Sequence, residues 1–387
     1  MKNSKIVILG AGVCGLTTAI ALHQKGFRHI SIYERRKTAN TLGAGIVLWA
    51  NASKILHKLN LLEKVKNVGG RISKMKRLSK EEDFLGAVDI ELIDQSIGFP
   101  SLSIARRDLQ EILLDKVSEL NIPINYAHNA TEIESSENGS TLIQFENQKR
   151  AEADIILGSD GRMNSTARSY VNGSNTPVYQ NFVNWIGIIE SEEDLFTDTY
   201  VSDYWGEGER FGIVPINQNK AYWAGGKTLP LNAPKKSKDE LLQLFGPWSP
   251  AITEIIQNTK EENIKLVEVF DHDPIKKWYK NNVCLIGDAA HAALPTSGQG
   301  ACQAIEDAFH FATILTESAV AESAFEKFQN FRYEKTTTIT MAARDLAKSL
   351  FNEDPLYCDV RNKKAQKTDY TAASMGIAKL WSKDLPE

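Results

Sequence analysis

The chain has 387 residues, 42% of them hydrophobic and 24% charged, with 45 Lys plus Arg against 49 Asp plus Glu and a formal net charge of −4. That balance excludes a disordered chain, a collagen-like repeat and a small disulfide scaffold, and it offers no cationic surplus for a nucleic-acid backbone or an anionic bilayer. Four scattered cysteines (Cys14, Cys284, Cys302, Cys358) without a C-x-x-C pair argue against a metal site and for a reducing, cytoplasmic setting.

No apolar run reaches the roughly 18 residues of a spanning helix. The N-terminal MKNSKIVILGAGVCGL is broken by glycines and lacks an A-x-A cleavage pattern, so it reads as folded structure and not as a signal peptide. KIVIL, at 5–9, has the continuous apolar pattern of a buried parallel strand. Gly10, Gly12 and Gly15 then meet G-x-G-x-x-G, and Leu16, Ala19, Ile20 and Leu22 follow at helical spacing. Gly26 closes that helix and HISIYE forms the next strand. DFLGAVDIELI reads as strand, RRDLQEILLDKVSEL as an amphipathic helix, and ADIILGSDG as another buried strand. From about 176 to 270, NFVNWIGIIE and RFGIVPI alternate like antiparallel strands, with Asn217 and Asn219 in a turn and KKSKDE as a solvated loop or helix start. VCLIGD is the last buried strand. QAIEDAFHFATIL and AFEKFQNFRYEKTTTITMAARDLAKSL carry the period of long helices. After about 351, DPLYCDVRNKK breaks that pattern and TAASMGIAKLW forms a final short helix.

The glycine fingerprint has a physical reading. Gly10 permits the tight turn, Gly12 lets a pyrophosphate approach the backbone, Gly15 allows close helix packing, and the helix N-terminus adds partial positive charge. Glu34 ends the second strand about 20 residues further on, where a carboxylate accepts ribose hydroxyls, and Arg35 follows it. These features together indicate a dinucleotide, either FAD or NAD.

Two further motifs follow apolar strands: GSDGRMNSTAR at 158–168 and GDAAHAALPTSGQG at 287–300. In this order the three motifs resemble, over nearly the whole chain, the single-component FAD-dependent aromatic hydroxylases of the p-hydroxybenzoate hydroxylase type. The resemblance implies an α/β fold: a Rossmann-like FAD-binding domain with a parallel βαβ sheet, an inserted and mainly antiparallel substrate sheet, and C-terminal helices. The FAD domain is then expected from 1–72, 101–175 and 271–350, the substrate domain from 73–100 and 176–270, and a helical tail from 351–387. It further implies that Asp288 meets the ribityl chain, that Pro295 lies against the flavin ring, and that Gly298, Gln299 and Gly300 open a helix toward flavin N1 and O2. By the same resemblance, Asp160 serves the pyrophosphate and ribityl region, and Arg106 and Gln110 are directed at the FAD phosphates.

Nine aromatics between 181 and 225, about twice the chain average of 9%, suit a sheet over an apolar pocket, with Trp185 among its lining residues. Here VNWIGII, WGEGERFGIVPI and AYW resemble the bacterial FAD-dependent urate hydroxylases, with salicylate hydroxylase and zeaxanthin epoxidase types in the same wider group. That likeness places Arg210 and Tyr222 at the substrate. Urate-type enzymes carry an acid after the flavin-facing proline; this chain has Thr296 there, which removes an acceptor for purine N–H groups and argues against urate itself. His291 reads as a packing or hydrogen-bonding group.

The implied activity uses NADH or NADPH, bound transiently, and O2 to hydroxylate a small aromatic or heteroaromatic ring through oxygen added at the flavin C4a carbon. Epoxidation or reduction of an alkene on the same fold is the alternative reading, and a non-catalytic FAD-binding redox sensor the least favoured. A small-molecule substrate, no nucleic acid, no stable membrane association and a monomer or dimer complete the expectation.

Overall fold

Short all-apolar runs alternate with helices in the first third of the chain, and that alternation produces a parallel sheet. The computed structural model describes residues 1–39, 45–135 and 140–387. Ile6–Leu9 is fully buried and pairs in parallel with Ile30–Tyr33 on one side and Ile155–Gly158 on the other. Val283–Leu285 extends the sheet beyond Ile155–Gly158, and Ile124–Asn125 beyond Ile30–Tyr33, both in parallel; the two-residue strand Tyr279–Lys280 closes the edge antiparallel. The fingerprint helix (Val13–Gln24) packs against helices Gly300–Glu317 and Arg106–Glu119.

A second, seven-stranded sheet is built from Lys74–Ser79, Phe84–Asp89, Val178–Glu190, Val201–Trp205, Glu209–Pro215, Lys220–Thr228 and Lys265–Asp271. Its pairings are antiparallel apart from Lys74–Ser79 with Val201–Trp205. The chain thus leaves the parallel sheet twice to build this one.

Two expectations need correction. DFLGAVDIELI is strand only to Asp89, whose carboxylate then accepts from Leu92 N and caps the helix Ile90–Ile97. Ile90, Ile93 and Ile97 sit at helical spacing and are buried, so the cap switches the period from two to 3.6. The segment DPLYCDVRNKK is itself helical: Asp354 caps Pro355–Gln366, and proline at the first position needs no N–H bond. The closing helix, Tyr370–Ser382, is capped by Asp369.

Helix Gly300–Glu317 and the long helix Ala321–Leu350 meet through fully buried charges. Arg332 donates to Glu306 at 2.6 Å and to Asp307 at 2.7 Å, and Lys335 donates to Glu306 at 2.8 Å. Burial alone would raise both carboxyls, but the facing cations, with His291 at Asp307, hold them below the ordinary range. Removing one partner strands a charge in the interior. Arg332→Met is therefore expected to cost about 3–5 kcal/mol of stability, measured by urea unfolding; an unchanged midpoint would remove this network from the account of the fold.

Candidate functional site

The loop after the first strand is packed so closely that two of its glycines admit no side chain. A Cβ on Gly10, whose φ is +103°, would stand 2.5 Å from the Ser159 carbonyl oxygen, and one on Gly15 would stand 2.0 Å from that of Gly10. Gly12 differs, since nothing lies within 4 Å of its Cβ position. The loop backbone is thus open to an incoming group at the N-terminus of the fingerprint helix.

Glu34 accepts from Ala11 N at 2.8 Å and from Arg36 N at 2.9 Å, which anchors its carboxylate beside the loop. Gln110, expected at the phosphates, is buried and donates to the Ala11 carbonyl of the loop at 2.7 Å. Arg106 opens the helix Arg106–Glu119 and reaches solvent, although the surrounding protein crowds its guanidinium. Desolvation lowers its guanidinium pKa, Arg162 and Arg36 lower it further, and the Asp288 carboxylate opposes them. Three arginines gathered in this way favour an anion between them. Arg35 is exposed and has no side-chain bond among the described residues; Arg36 is the one whose charge reaches Arg106.

Asp160 is bonded within its own motif. Ser165 donates to its Oδ1 at 2.5 Å and Ala167 N to its Oδ2 at 3.2 Å, while burial pushes the carboxyl up. It thereby anchors the start of helix Thr166–Asn172, and Gly161 beside it, at φ +84°, faces open space. Buried Arg168 donates to the carbonyls of Ala289 at 2.8 Å and Ala290 at 3.3 Å, tying this motif to the next.

Asp288 begins the one-turn helix Asp288–His291, 3.8 Å from Arg162 Nε. A Cβ on Gly300 would find only Asp288 Oδ1, at 3.9 Å. Pro295 is exposed at the start of the turn Pro295–Ser297, and Gly298 follows at φ +61°. Gln299 turns its side chain inward, where its Oε1 accepts from Asn51 at 3.1 Å and Gln303 at 2.9 Å, while its backbone N–H donates to Ser297 Oγ at 3.2 Å. Thr296 directs its hydroxyl proton to the Ala343 carbonyl at 2.9 Å. His291 meets Asp307 at 2.6 Å, and Asp307 also accepts from Gly287 N at 2.8 Å. The buried charges therefore hold the segment that carries Asp288.

The large sheet supplies the other side. Strand register places side chains of directly paired residues on one face. One row across the strands reads Asp203, Gly212, Ala224, Ile186, and the next reads Trp205, Arg210, Gly226, Asn184. Tyr222, paired with Val214 and Ile188, belongs to the same face. Arg210 and Tyr222 therefore flank the smallest pair in the sheet, Gly212 and Ala224, and a Cβ on Gly212 would meet nothing closer than the Ala224 carbonyl at 4.0 Å. This is a depression with a guanidinium on one side and a phenol on the other.

Buried Asp203 accepts from Arg210 Nε at 2.5 Å and from Trp205 Nε1 at 2.8 Å. Both terminal nitrogens of Arg210 lack a partner among the described residues. The Tyr222 ring fills the space in front of Gly45, where any Cβ would overlap it, and Gly45 opens the strand Gly45–Leu48, which also touches helix Gly300–Glu317. The depression thus faces the third motif. Phe351 stands over Gly226 at its other end.

Trp185, expected in the pocket, lies on the opposite face. It pairs with Gly225, shares that face with Trp223 and Phe211, and packs on Phe245 under helices Lys238–Phe245 and Pro250–Asn258. Much of the aromatic enrichment is this apolar layer. Asp203, Arg36, Arg162 and the buried charges behind Asp288 escaped the sequence reading; for Asp203 a signal existed, since D-x-W and R-x-G alternate with the strand period and put Asp203 with Arg210.

A family profile described as FAD binding domain matches residues 3–332. Among curated relatives, the Aurachin C monooxygenase/isomerase of Stigmatella aurantiaca is 29% identical, over 92% of each chain. The FAD-dependent urate hydroxylase of Mycolicibacterium vanbaalenii is 28% identical, over 91% of this chain and 90% of that protein. Among solved structures, Klebsiella pneumoniae HpxO complexed with FAD and uric acid superposes with a TM-score of 0.90 at 22% identity, covering 99% of this chain and 98% of that one. The last likeness is one of fold.

Proposed function

The chain belongs to the FAD binding domain family, and from that premise we propose that it is a monooxygenase using NADH or NADPH and O2 to hydroxylate a small aromatic or heteroaromatic ring. The depression over Gly212 and Ala224, flanked by Arg210 and Tyr222 and turned toward the third motif, carries this reading.

The residues present fit FAD. Gly12 and Gly161 face open space, and the room at Gly300 is bounded only by Asp288. The Gly12 backbone and the fingerprint helix would hold the pyrophosphate, with Arg36, Arg106 and Arg162 compensating its charge. Glu34 would accept from the ribose, Asp288 from the ribityl chain, and the Gly298–Gly300 turn would lie at the flavin ring. When bound, FAD supplies acceptance of a hydride from the nicotinamide and activation of O2 for transfer of one oxygen atom, the other leaving as water.

The remaining tasks fall to side chains. Arg210, oriented by Asp203, offers its two terminal nitrogens to an acceptor on the ring. Burial, reinforced by Cys302, pushes the Tyr222 phenol well above its ordinary value despite the Arg210 charge, so at neutral pH it stays protonated and donates. Tyr222 against Gly45 and Phe351 over Gly226 wall the depression with aromatic surface, which keeps water from the reacting centre.

Anaerobic mixing with NADH or NADPH tests the proposal. Flavin bleaching is expected to accelerate at least tenfold with a true ring substrate, and aerobic turnover to yield hydroxylated product in excess of peroxide. Reduction indifferent to every ring compound in an aromatic and heteroaromatic panel would sink it.

A further inference from the structure

An arginine and a carboxylate commonly share two parallel hydrogen bonds, and such a fork would take one terminal nitrogen of Arg210 out of use. The fork is not formed. Arg210 reaches Asp203 through Nε, at Oδ1, while Oδ2 accepts from Trp205 Nε1 at 2.8 Å. Trp205 stands two residues after Asp203 in strand Val201–Trp205 and pairs with Arg210, so all three side chains share the face that carries the depression. The indole is 5% exposed, with the guanidiniums of Arg77 and Arg361 over it, 5.2 Å and 5.4 Å from the ring centroid. Both are within cation–π range. Arg77 lies beside Asp203 in the sheet register and also stands 5.4 Å from the ring of Tyr370, the first residue of the closing helix. Arg361, in helix Pro355–Gln366, is buried and donates to the carbonyls of Ser349 and Gly206, each at 3.0 Å. The last two helices are thus fastened to the residue that fixes Asp203.

We infer that Trp205 is a positioning residue for the ring substrate: by occupying Oδ2 of Asp203 it keeps Arg210 from closing a fork on that carboxylate, and so leaves both terminal nitrogens for an acceptor on the ring. The inference rests on reading the depression as the substrate site. A carboxylate released from Trp205 has a second oxygen free beside a guanidinium that can turn onto it, and the two-bond pair is the stronger arrangement. The ring then meets an arginine that must first be drawn off its partner. Substrate binding weakens while the chemistry at the flavin is left alone, so the loss falls on KM and not on kcat. Arg77 and Arg361 hold the indole where it makes this bond, which gives the segment after residue 351 a task at the substrate site.

Trp205→Phe keeps a ring under the guanidiniums and removes the donor. A crystal structure of the FAD-loaded variant is expected to show a terminal nitrogen of Arg210 within hydrogen-bond distance of Asp203 Oδ2. For the panel compound that most accelerates flavin reduction, KM should rise about tenfold, the size of one hydrogen bond, while kcat and FAD content stay close to the parent. Adding Asp203→Asn to Trp205→Phe should recover most of that loss, because an amide presents one oxygen and cannot accept a fork. Damage to packing alone would be deepened by the second change and not repaired. Arg361→Met, which leaves the donor but loosens the ring, should raise KM in the same direction and by less. Arg210 still bonded to Asp203 through Nε alone in Trp205→Phe overturns the inference, as does a double variant no better than the single one. A panel without any active compound overturns the substrate reading, and the inference with it; an active compound with an unforked arginine overturns the inference alone. If Trp205→Phe does not fold, the parent bound to the same compound decides: Arg210 forked on Asp203 in that complex also overturns it.

Discussion

Gly12→Val is expected to fold and lose FAD, whereas Gly15→Val is expected not to fold. The two glycines stand three residues apart in one loop, yet their surroundings are opposite. The Gly15 Cβ position lies 2.0 Å from a backbone oxygen that cannot yield without dismantling the first strand's turn. Overlap of that kind exceeds the usual 1–3 kcal/mol of an overpacked core and approaches the whole stability of a domain, about 5–15 kcal/mol. Gly12 has φ −82° and ψ −175°, a conformation open to any residue, and its Cβ would meet nothing within 4 Å. A valine there meets the incoming pyrophosphate. FAD affinity should fall by about 100-fold or more, roughly 2.7 kcal/mol, with a parent-like circular dichroism spectrum and melt. Flavin absorbance per protein after gel filtration reads the first effect and a thermal melt the second. Full flavin content in Gly12→Val would place the pyrophosphate elsewhere, and a parent-like melt for Gly15→Val would contradict the packing of the loop.

Arg210→Met should reduce kcat/KM for the ring substrate by about 100-fold while leaving FAD content unchanged. A charged hydrogen bond is worth about 1.5–3 kcal/mol, and the guanidinium offers two unpartnered nitrogens to the depression. Methionine preserves the apolar stem. Asp203 keeps its bond from Trp205, so a modest loss of stability, about 1–3 kcal/mol, accompanies the change. Tyr222→Phe removes one neutral donor and should cost tenfold or less. The ordering of the two variants matters as much as the sizes. A larger loss in Tyr222→Phe would make the phenol the principal ligand, and parent-like kinetics in Arg210→Met would return Arg210 to a structural role as the partner of Asp203.

Some of this architecture was plain in the residue pattern. KIVIL, ADIILG and VCLIG are short continuous apolar runs, and each became a strand of the parallel sheet because a strand covered on both faces needs apolar residues at every position. The three glycines of the fingerprint were equally legible, since a tight turn and a phosphate-sized opening are properties of a few neighbouring residues. Gln110 and Asp160 show where such reading stops. Both stand in recognisable motifs; Gln110 donates to the loop carbonyl, and Asp160 accepts from Ser165 and Ala167 of its own segment. A motif names the neighbourhood; the partner depends on which backbone groups the fold leaves unsatisfied.

The face of a strand is the clearest case. Trp185 and Tyr222 both lie in aromatic-rich strands, and composition treats them alike. Their register separates them, with Tyr222 toward the third motif and Trp185 under two helices. Alternation assigns residues to two faces but does not say which of the two is covered by which layer.

Local pattern established an α/β chain, its dinucleotide loop and the order of its three motifs. Those are short-range properties, set by side-chain volume, backbone freedom and period along a few residues. Tertiary structure alone decided that Asp203 orients Arg210, that Glu306 and Asp307 meet Arg332, and that the segment after residue 351 sets Arg361 over Trp205. Each of these joins groups from different elements, and the energy of a buried polar group is settled by whichever partner the completed fold brings to it.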